Sequence, residues 1–173
     1  VILRAVLLAT AVFVGLLVAA VWGLGQWTPG PAWAAWIAGA VGGVLAALLV
    51  AAAGYIINDY YDVKIDAINR PDRLVVGRAV GRRKAMLAHL ALSGVGVGLA
   101  GWLHPVLGFV TLGTALLLWG YSARFKRVAL VGNASIATLT AALVLLPELQ
   151  LQLQRHSSHS IVWPYALAAF LLT

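Results

Sequence analysis

Long apolar runs alternate with short polar connections along the chain. Runs long enough to cross a bilayer as helices, which takes roughly 20 residues, lie at 2–22, 33–57, 85–103, 105–121 and 128–147, and a further apolar run begins near residue 160. A polar segment of alternating Leu and Gln at 148–160 is predicted to be a loop. This pattern predicts an all-α, polytopic transmembrane helical bundle, with about five full spans and a partial sixth in a single domain over residues 1–173.

The composition agrees with a membrane protein. Hydrophobic residues make up 62% of the chain, charged residues 10%, and the mean hydropathy is +0.95. A soluble domain of this size needs more polar surface to cover its core. There are no cysteines, which excludes disulfides and thiolate metal sites. Glycines within the predicted spans are expected to allow close contact between helices, and they include Gly39, Gly42, Gly43, Gly94, Gly96 and Gly98.

The basic residues are distributed unevenly along the chain. The net charge of +7 is compatible with nucleic-acid binding, but the bases gather in two connections between predicted spans, at 64–84 and 124–127. This is the arrangement that the positive-inside rule produces, so no nucleic-acid partner is expected. Every Lys and Arg except Arg155 falls on one side of the predicted bundle. We therefore expect this side, which also carries most of the acids, to face the cytoplasm.

Four of the five acidic residues lie in the stretch IINDYYDVKIDAINRPDR, at 56–73. If the second span continues as a helix, Asn58, Asp62 and Asp66 recur at every fourth position and share one face, since each step of four residues drifts by only ~40°. Asp59 lies beside this stripe. Oxygen ligands without thiolate or imidazole suit a hard cation such as Mg²⁺, which usually binds one or two carboxylates and completes its shell with water and phosphate. The predicted metal ligands are Asn58, Asp59, Asp62 and Asp66.

Two simpler interpretations of this acidic stretch stay open. The acids could be solvated at the membrane surface, or they could pair with Lys64, Arg70 and Arg73 without any substrate. Neither explains why aligned carboxylates stay together in spite of their mutual repulsion. A diphosphate bridged to them by a metal would also need cationic donors. The candidates on the same side are Arg70, Arg73, Arg78, Arg124, Lys126 and Arg127, although the positive-inside rule alone would place them there.

These residues carry a resemblance to a known family. The stretch NDYYDVKID at 58–66 resembles the NDxxDxxxD signature of the UbiA superfamily of intramembrane prenyltransferases. The segment from Asn69-Arg70-Pro71 through Arg73 to Gly77 is similar to the NRP…G loop of that family. Further along the chain, three short segments resemble the connection between the fourth and fifth helices of that family. They are Tyr121-Ser122, Lys126-Arg127 and Gly132-Asn133. The amino-acid sequence at 51–78 is most similar to that of bacterial family members related to geranylgeranylglycerol-phosphate geranylgeranyltransferase.

The resemblance implies a bundle of about nine helices with its site between them. It implies Mg²⁺-dependent transfer of a polyprenyl group from a polyprenyl diphosphate to a lipophilic or aromatic acceptor, such as a glycerophosphate lipid or a quinone precursor. The setting would be the inner membrane of a bacterial or archaeal cell. Asn58, Asp62 and Asp66 would bind the metal and the diphosphate, with support from Asp59 and Arg73. The diphosphate or the allylic cation would be contacted by Lys126, Tyr121 and Asn133, and Arg70, Arg78, Arg124 and Arg127 would join the substrate-binding set.

The chain departs from the family in one respect. A second aspartate motif is expected downstream, but the remaining acid is Glu148, in the predicted loop on the opposite side. We therefore expect the 173 residues to be the N-terminal part of a longer protein, unable to assemble a two-motif site alone.

The sequence argues against two other functions of membrane proteins. A CDP-alcohol phosphatidyltransferase would need a DGxxAR continuation after Asp62, where the chain reads VKIDAIN. A transporter or channel component would need its carboxylates nearer the middle of the bilayer.

Overall fold

The computed structural model describes residues 32–155 and 163–172. Five α-helices, numbered here in chain order, have the bounds α1 Ala32–Asn69, α2 Arg82–Leu103, α3 Pro105–Ala123, α4 Ala129–Arg155 and α5 Trp163–Leu171. Short 3-10 turns at Pro71–Arg73 and Phe125–Arg127 lie in the connections before α2 and α4. The span predicted at 2–22 and residues 156–160 of the predicted loop lie outside the described residues.

Four of these helices are long and apolar enough to cross a membrane. The segments are Gly39–Asn69, Arg82–Leu103, Pro105–Ala123 and Ala129–Gln150, and they correspond to four of the predicted spans. Many of their large apolar side chains face outward, among them Trp102, which is 85% exposed, and Phe109, which is 75% exposed. Such surface is stable in contact with lipid or with further helices. The chain is therefore an all-α, polytopic integral membrane protein, as the apolar runs predicted.

Small residues allow α2 to lie close against α1. A methyl group added at Gly96 would lie 3.0 Å from the carbonyl oxygen of Ala46 and 2.9 Å from Val50, so this contact requires glycine. His89 is buried in the same interface, with Nδ1 3.0 Å from the carbonyl oxygen of Ala53. By contrast, no residue that the structure describes lies within 4 Å of the position of a methyl group at Gly94. The packing role predicted for the glycines is thus confirmed at Gly96 but not at Gly94.

A tight turn at His104 joins α2 and α3. The His104 side chain accepts a hydrogen bond of 3.2 Å from the backbone N–H of Val106 and so caps α3. Pro105 occupies the first helical position, where its missing N–H costs no intrahelical bond. The two helices consequently run antiparallel, and the far end of α3 returns to the side where α2 begins.

The predicted loop at 148–160 is wrong for residues 148–155, because α4 continues through Pro147 to Arg155. Leu, Gln and Glu are all good helix formers, so the local sequence supports this continuation. The polar side chains also find partners: buried Gln150 donates a 2.5 Å hydrogen bond to the carbonyl oxygen of Gly39 in α1. Gln152 donates a 3.1 Å bond to Glu148 one turn earlier. Polarity therefore marks a contact between α4 and α1 here rather than a loop.

Candidate active site

The acidic residues lie on the last turns of one continuous helix. Since α1 extends to Asn69, the repeat of Asn58, Asp62 and Asp66 falls on one helical face, as predicted on the condition that the helix continued. The opposite side of α1 is anchored in the bundle by Ala53 and Ile57, both of which are fully buried. The three polar side chains are each partly exposed. The packed face of α1 thereby fixes the direction in which the acidic face points.

The end of α3 lies along the same part of α1. A methyl group at Gly54 would lie 3.1 Å from Leu118, which shows how closely the two helices approach. Trp119, which directly follows Leu118, donates a 3.1 Å hydrogen bond from its indole N–H to the hydroxyl of Tyr61, seven residues beyond Gly54 on α1. The turn that follows α3 is therefore brought beside the acidic face.

Two glycines allow the turn that carries Lys126 to pack closely against its neighbouring helices. The ring of Phe125 lies over Gly120, where a methyl group would come within 2.7 Å of it. On the other side, a methyl group at Gly132 would lie 3.0 Å from the carbonyl oxygen of Phe125 and 3.3 Å from the Cα atom of Lys126. The Phe125–Arg127 turn is thus enclosed between the end of α3 and the start of α4, and this sets the position of Lys126.

Lys126 joins two successive turns of the acidic face. Its ammonium Nζ donates to Asn58 Oδ1 at 3.1 Å and to Asp62 Oδ1 at 2.5 Å. The Lys126 and Asp62 side chains are only 15% and 18% exposed, so this is a partly buried, charge-assisted contact. An amide oxygen and a carboxylate oxygen from different turns therefore converge on one positive charge.

The donor set fits a divalent cation that arrives with part of its own coordination shell. Amide and carboxylate oxygens are the ligands preferred by Mg²⁺, and the Lys126 ammonium shows that Asn58 and Asp62 can direct oxygens at a common cation. Within 32–155 and 163–172, no three His, Cys, Asp or Glu side chains are grouped so as to hold a metal ion. A site of this kind suits a metal that also binds water and phosphate oxygens rather than one enclosed by protein ligands alone.

The connection between α1 and α2 folds back onto α1. Gly77 adopts a φ of +95°, which favours glycine, and a methyl group there would lie 3.3 Å from Val63. Its backbone N–H donates to the carbonyl oxygen of Val80 at 2.8 Å. The guanidinium of Arg82 stacks on the ring of Tyr60, 4.5 Å from the centroid. The loop thus stays close to the acidic end of α1.

Among the predicted site residues, the structure brings Lys126, Asn58 and Asp62 into contact. Asp66 lies one turn beyond Asp62, and Asp59 is exposed beside the stripe. The other candidates with described side chains make no side-chain hydrogen bond or ion pair to these acids, although the backbone N–H of Arg70 donates to the carbonyl oxygen of Asp66 at 2.8 Å. Arg70, Arg78, Arg124, Arg127 and Asn133 are exposed, and Tyr121 is half-buried. The side chain of Arg73 lies outside the described part.

Arg78 has a local role in the loop, and two aromatic contacts complete the surroundings of the site. The Arg78 guanidinium donates a 3.3 Å bond to the carbonyl oxygen of Pro71. Sequence reasoning missed the contacts of Trp119 with Tyr61 and of Arg82 with Tyr60. The sequence feature that pointed to these contacts was the tyrosine pair Tyr60-Tyr61 inside the acidic stretch. The partners of these two tyrosines are distant in sequence, so the sequence alone does not identify them.

Comparison with known proteins identifies relatives of the chain. The UbiA prenyltransferase family matches residues 16–173. The digeranylgeranylglyceryl phosphate synthase of Methanoregula boonei is 43% identical over 98 residues, which are 57% of this chain and 35% of that protein. The enzyme of the same name from Methanopyrus kandleri is 39% identical over 112 residues, or 61% of this chain and 41% of its own length. The matched region thus spans well under half of these curated relatives.

A solved structure shares the fold. It comes from work on digeranylgeranylglyceryl phosphate synthase in membranes and superposes with a TM-score of 0.66 at 24% identity, covering 78% of this chain and 45% of the other. The family match extends over almost the whole sequence and includes the acidic stretch and the Lys126 turn. The resemblance inferred from the residues is therefore confirmed, and the chain belongs to the UbiA prenyltransferase family.

Proposed function

We propose that the chain provides the metal–diphosphate part of an active site that transfers a polyprenyl group from a polyprenyl diphosphate to a lipophilic acceptor inside the membrane. The observation that carries this proposal is the convergence of Asn58 and Asp62 on the Lys126 ammonium at one end of α1. Family membership supports the type of reaction.

The residues on α1 would hold the metal. Asn58 and Asp62 would supply two oxygens, and Asp59 and Asp66 would each lie about one turn from Asp62. When bound, Mg²⁺ would neutralise charge on the diphosphate and so make it a better leaving group.

Lys126 would contact the leaving group directly. An ammonium donates charge-assisted hydrogen bonds to phosphate oxygens, and these bonds strengthen as negative charge accumulates on the diphosphate while the C–O bond breaks. The turn that carries Lys126 is fixed by Gly120 and Gly132, so this donor is positioned in advance. The exposed bases of the neighbouring loops, Arg70, Arg78, Arg124 and Arg127, would attract the anionic headgroup to this end of the bundle.

The position of the site matches an amphipathic substrate. The acids lie at the end of a helix that is apolar over its preceding turns, so a diphosphate at Asp62 would place its prenyl chain along the membrane-spanning part of α1. The surrounding apolar side chains would keep bulk water from the reacting carbon. By the positive-inside rule, the diphosphate end would face the cytoplasm in a bacterial or archaeal cell membrane.

The names of the relatives suggest the acceptor. Both relatives described above are digeranylgeranylglyceryl phosphate synthases, so we propose a glycerophosphate lipid that already carries a prenyl chain rather than an aromatic quinone precursor. The family match does not favour a phosphatidyltransferase or a transporter component. In addition, the acids lie at the same end of the bundle as the basic loops rather than midway along the helices.

The proposal can be tested by assaying the complete gene product in membranes. Radiolabelled polyprenyl diphosphates of several lengths would be offered with a prenylated glycerophosphate or with an aromatic acceptor, with and without a chelator. We expect metal-dependent labelling of the glycerophosphate, which Asp62→Asn and Asp66→Asn each reduce by about 100-fold or more. Full activity in both variants would contradict the role of Asp62 and Asp66 in metal binding. Labelling of the aromatic acceptor alone would contradict the proposal of a glycerophosphate acceptor.

A further inference from the structure

Lys126 and a divalent cation would compete for the same oxygen atoms. The ammonium lies 3.1 Å from Asn58 Oδ1 and 2.5 Å from Asp62 Oδ1. Asn58 has a single amide oxygen, so a Mg²⁺ bound to it at the usual ~2.0–2.1 Å would lie next to an ammonium that uses the same atom. Two positive charges held that close would also repel each other. The contact seen in the structure and the proposed metal contact therefore oppose each other electrostatically.

From this competition we infer that Lys126 is an exchangeable counter-ion that makes metal binding depend on the diphosphate. In this scheme, which rests on the proposed function, Lys126 holds Asn58 and Asp62 until a divalent cation arrives together with a diphosphate. It then moves its ammonium from the two side-chain oxygens to the diphosphate oxygens. The site consequently accepts the metal–diphosphate complex and rejects the free metal.

The burial of the pair explains why the diphosphate is needed. Lys126 is only 15% exposed, so displacing it from Asp62 without a new partner would leave a largely buried, uncompensated charge. A diphosphate supplies new acceptors for the same ammonium and removes this penalty. The lysine side chain suits the exchange because its ammonium is a compact charge on a flexible stem, whereas the backbone of its turn is fixed by Gly132.

A purely structural ion pair would behave differently. If Lys126 only fastened the turn to α1, its removal would loosen Asn58 and Asp62 and weaken metal binding. An exchangeable counter-ion predicts the opposite, because its removal frees both oxygens. The sign of the change in affinity for metal alone therefore distinguishes the two roles.

The experiment measures Mn²⁺ bound to the complete gene product in nanodiscs by equilibrium dialysis, in which free Mn²⁺ and its pyrophosphate complex equilibrate across the dialysis membrane and the excess on the nanodisc side is bound to protein. Each protein is titrated with Mn²⁺ alone and with Mn²⁺ plus inorganic pyrophosphate. The variant is Lys126→Met, which keeps the length of the side chain and removes its charge. The matched control is Lys64→Met, which removes the same charge from an exposed position on α1, two residues from Asp62 and therefore on another face.

For the wild type we expect pyrophosphate to raise Mn²⁺ affinity by at least about tenfold. Lys126→Met should bind Mn²⁺ alone at least about tenfold more tightly than the wild type and should lose most of the response to pyrophosphate. Lys64→Met should stay within about twofold of the wild type, because an exposed charge is screened.

Unchanged or weaker binding of Mn²⁺ alone by Lys126→Met would overturn the inference while leaving the proposed function in place, provided that the wild type binds Mn²⁺ with pyrophosphate. If the wild type bound no Mn²⁺ with or without pyrophosphate, the inference and the proposed function would both be wrong. Should Lys126→Met fail to fold, the wild-type titrations still test the inference. Equal Mn²⁺ affinity of the wild type with and without pyrophosphate would contradict it.

Discussion

Gly132 determines how closely the first turn of α4 approaches the turn that carries Lys126. Because a methyl group there would lie 3.0 Å from the carbonyl oxygen of Phe125, Gly132→Ala must displace that backbone. We expect the variant to lose about 1–3 kcal/mol of stability from overpacking. Prenyl transfer should fall as well, since Lys126 would move. Thermal unfolding in nanodiscs and the transfer assay measure the two effects.

Gly94→Ala is the matched control, because the same substitution in α2 meets no atom within 4 Å in the described part of the chain. It should stabilise the protein by about 0.5–1 kcal/mol, since alanine is the better helix former. A loss of stability at Gly94 equal to that at Gly132 would contradict the close contact assigned to the Lys126 turn.

The pairing of Lys126 with Asn58 and Asp62 marks the limit of what the residues alone could establish. The local spacing predicted a shared face for Asn58, Asp62 and Asp66, because helical periodicity is a short-range property. The partner of that face is 64 residues away from Asp62 along the chain. It is brought there by the packing of α3 on α1 and by two glycine contacts, which no periodicity encodes.

At the scale of the helices, α4 is fastened to α1 through Gln150. Its side-chain amide is buried and donates to the Gly39 carbonyl oxygen. We expect Gln150→Ala to cost about 1–3 kcal/mol, because it removes a buried hydrogen bond and leaves a cavity. Gln152→Ala, which removes a bond within a single helix, should cost less than about 0.5 kcal/mol. Thermal unfolding distinguishes the two, and equal losses would show that the contact between α4 and α1 contributes little.

The helices themselves were largely predictable. The spans at 85–103 and 105–121 differ from α2 and α3 by only a few residues at one end, because an uninterrupted apolar run of this length requires a helix in a bilayer. The segment at 148–155 was missed because Leu-Gln alternation is polar in composition, and hydropathy carries no information about whether a polar side chain has a buried partner. Gln150 has such a partner in α1.

At the scale of the whole molecule, the connection after α1 and the connection after α3 must face the same side of the membrane. The contact of Lys126 with Asp62 requires this arrangement, and these 173 residues contribute no cysteine of their own to a labelling experiment. Arg83→Cys and Val128→Cys should react with an impermeant thiol reagent only after intact cells are permeabilised. Pro105→Cys, at the opposite turn between α2 and α3, should react without permeabilisation. Labelling of Arg83→Cys and Val128→Cys from different sides would contradict the fold.

The proposed function requires the acidic face of α1 to bind a diphosphate through a metal. The most direct test is equilibrium binding of a radiolabelled polyprenyl diphosphate to the complete gene product in nanodiscs, with and without Mg²⁺. The wild type should bind at least about tenfold more tightly with Mg²⁺, and Asp62→Asn should lose this gain. Asp72→Asn, an exposed acid in the following 3-10 turn, should keep it. If Asp62→Asn bound the diphosphate as tightly as the wild type in the presence of Mg²⁺, the central claim would be wrong.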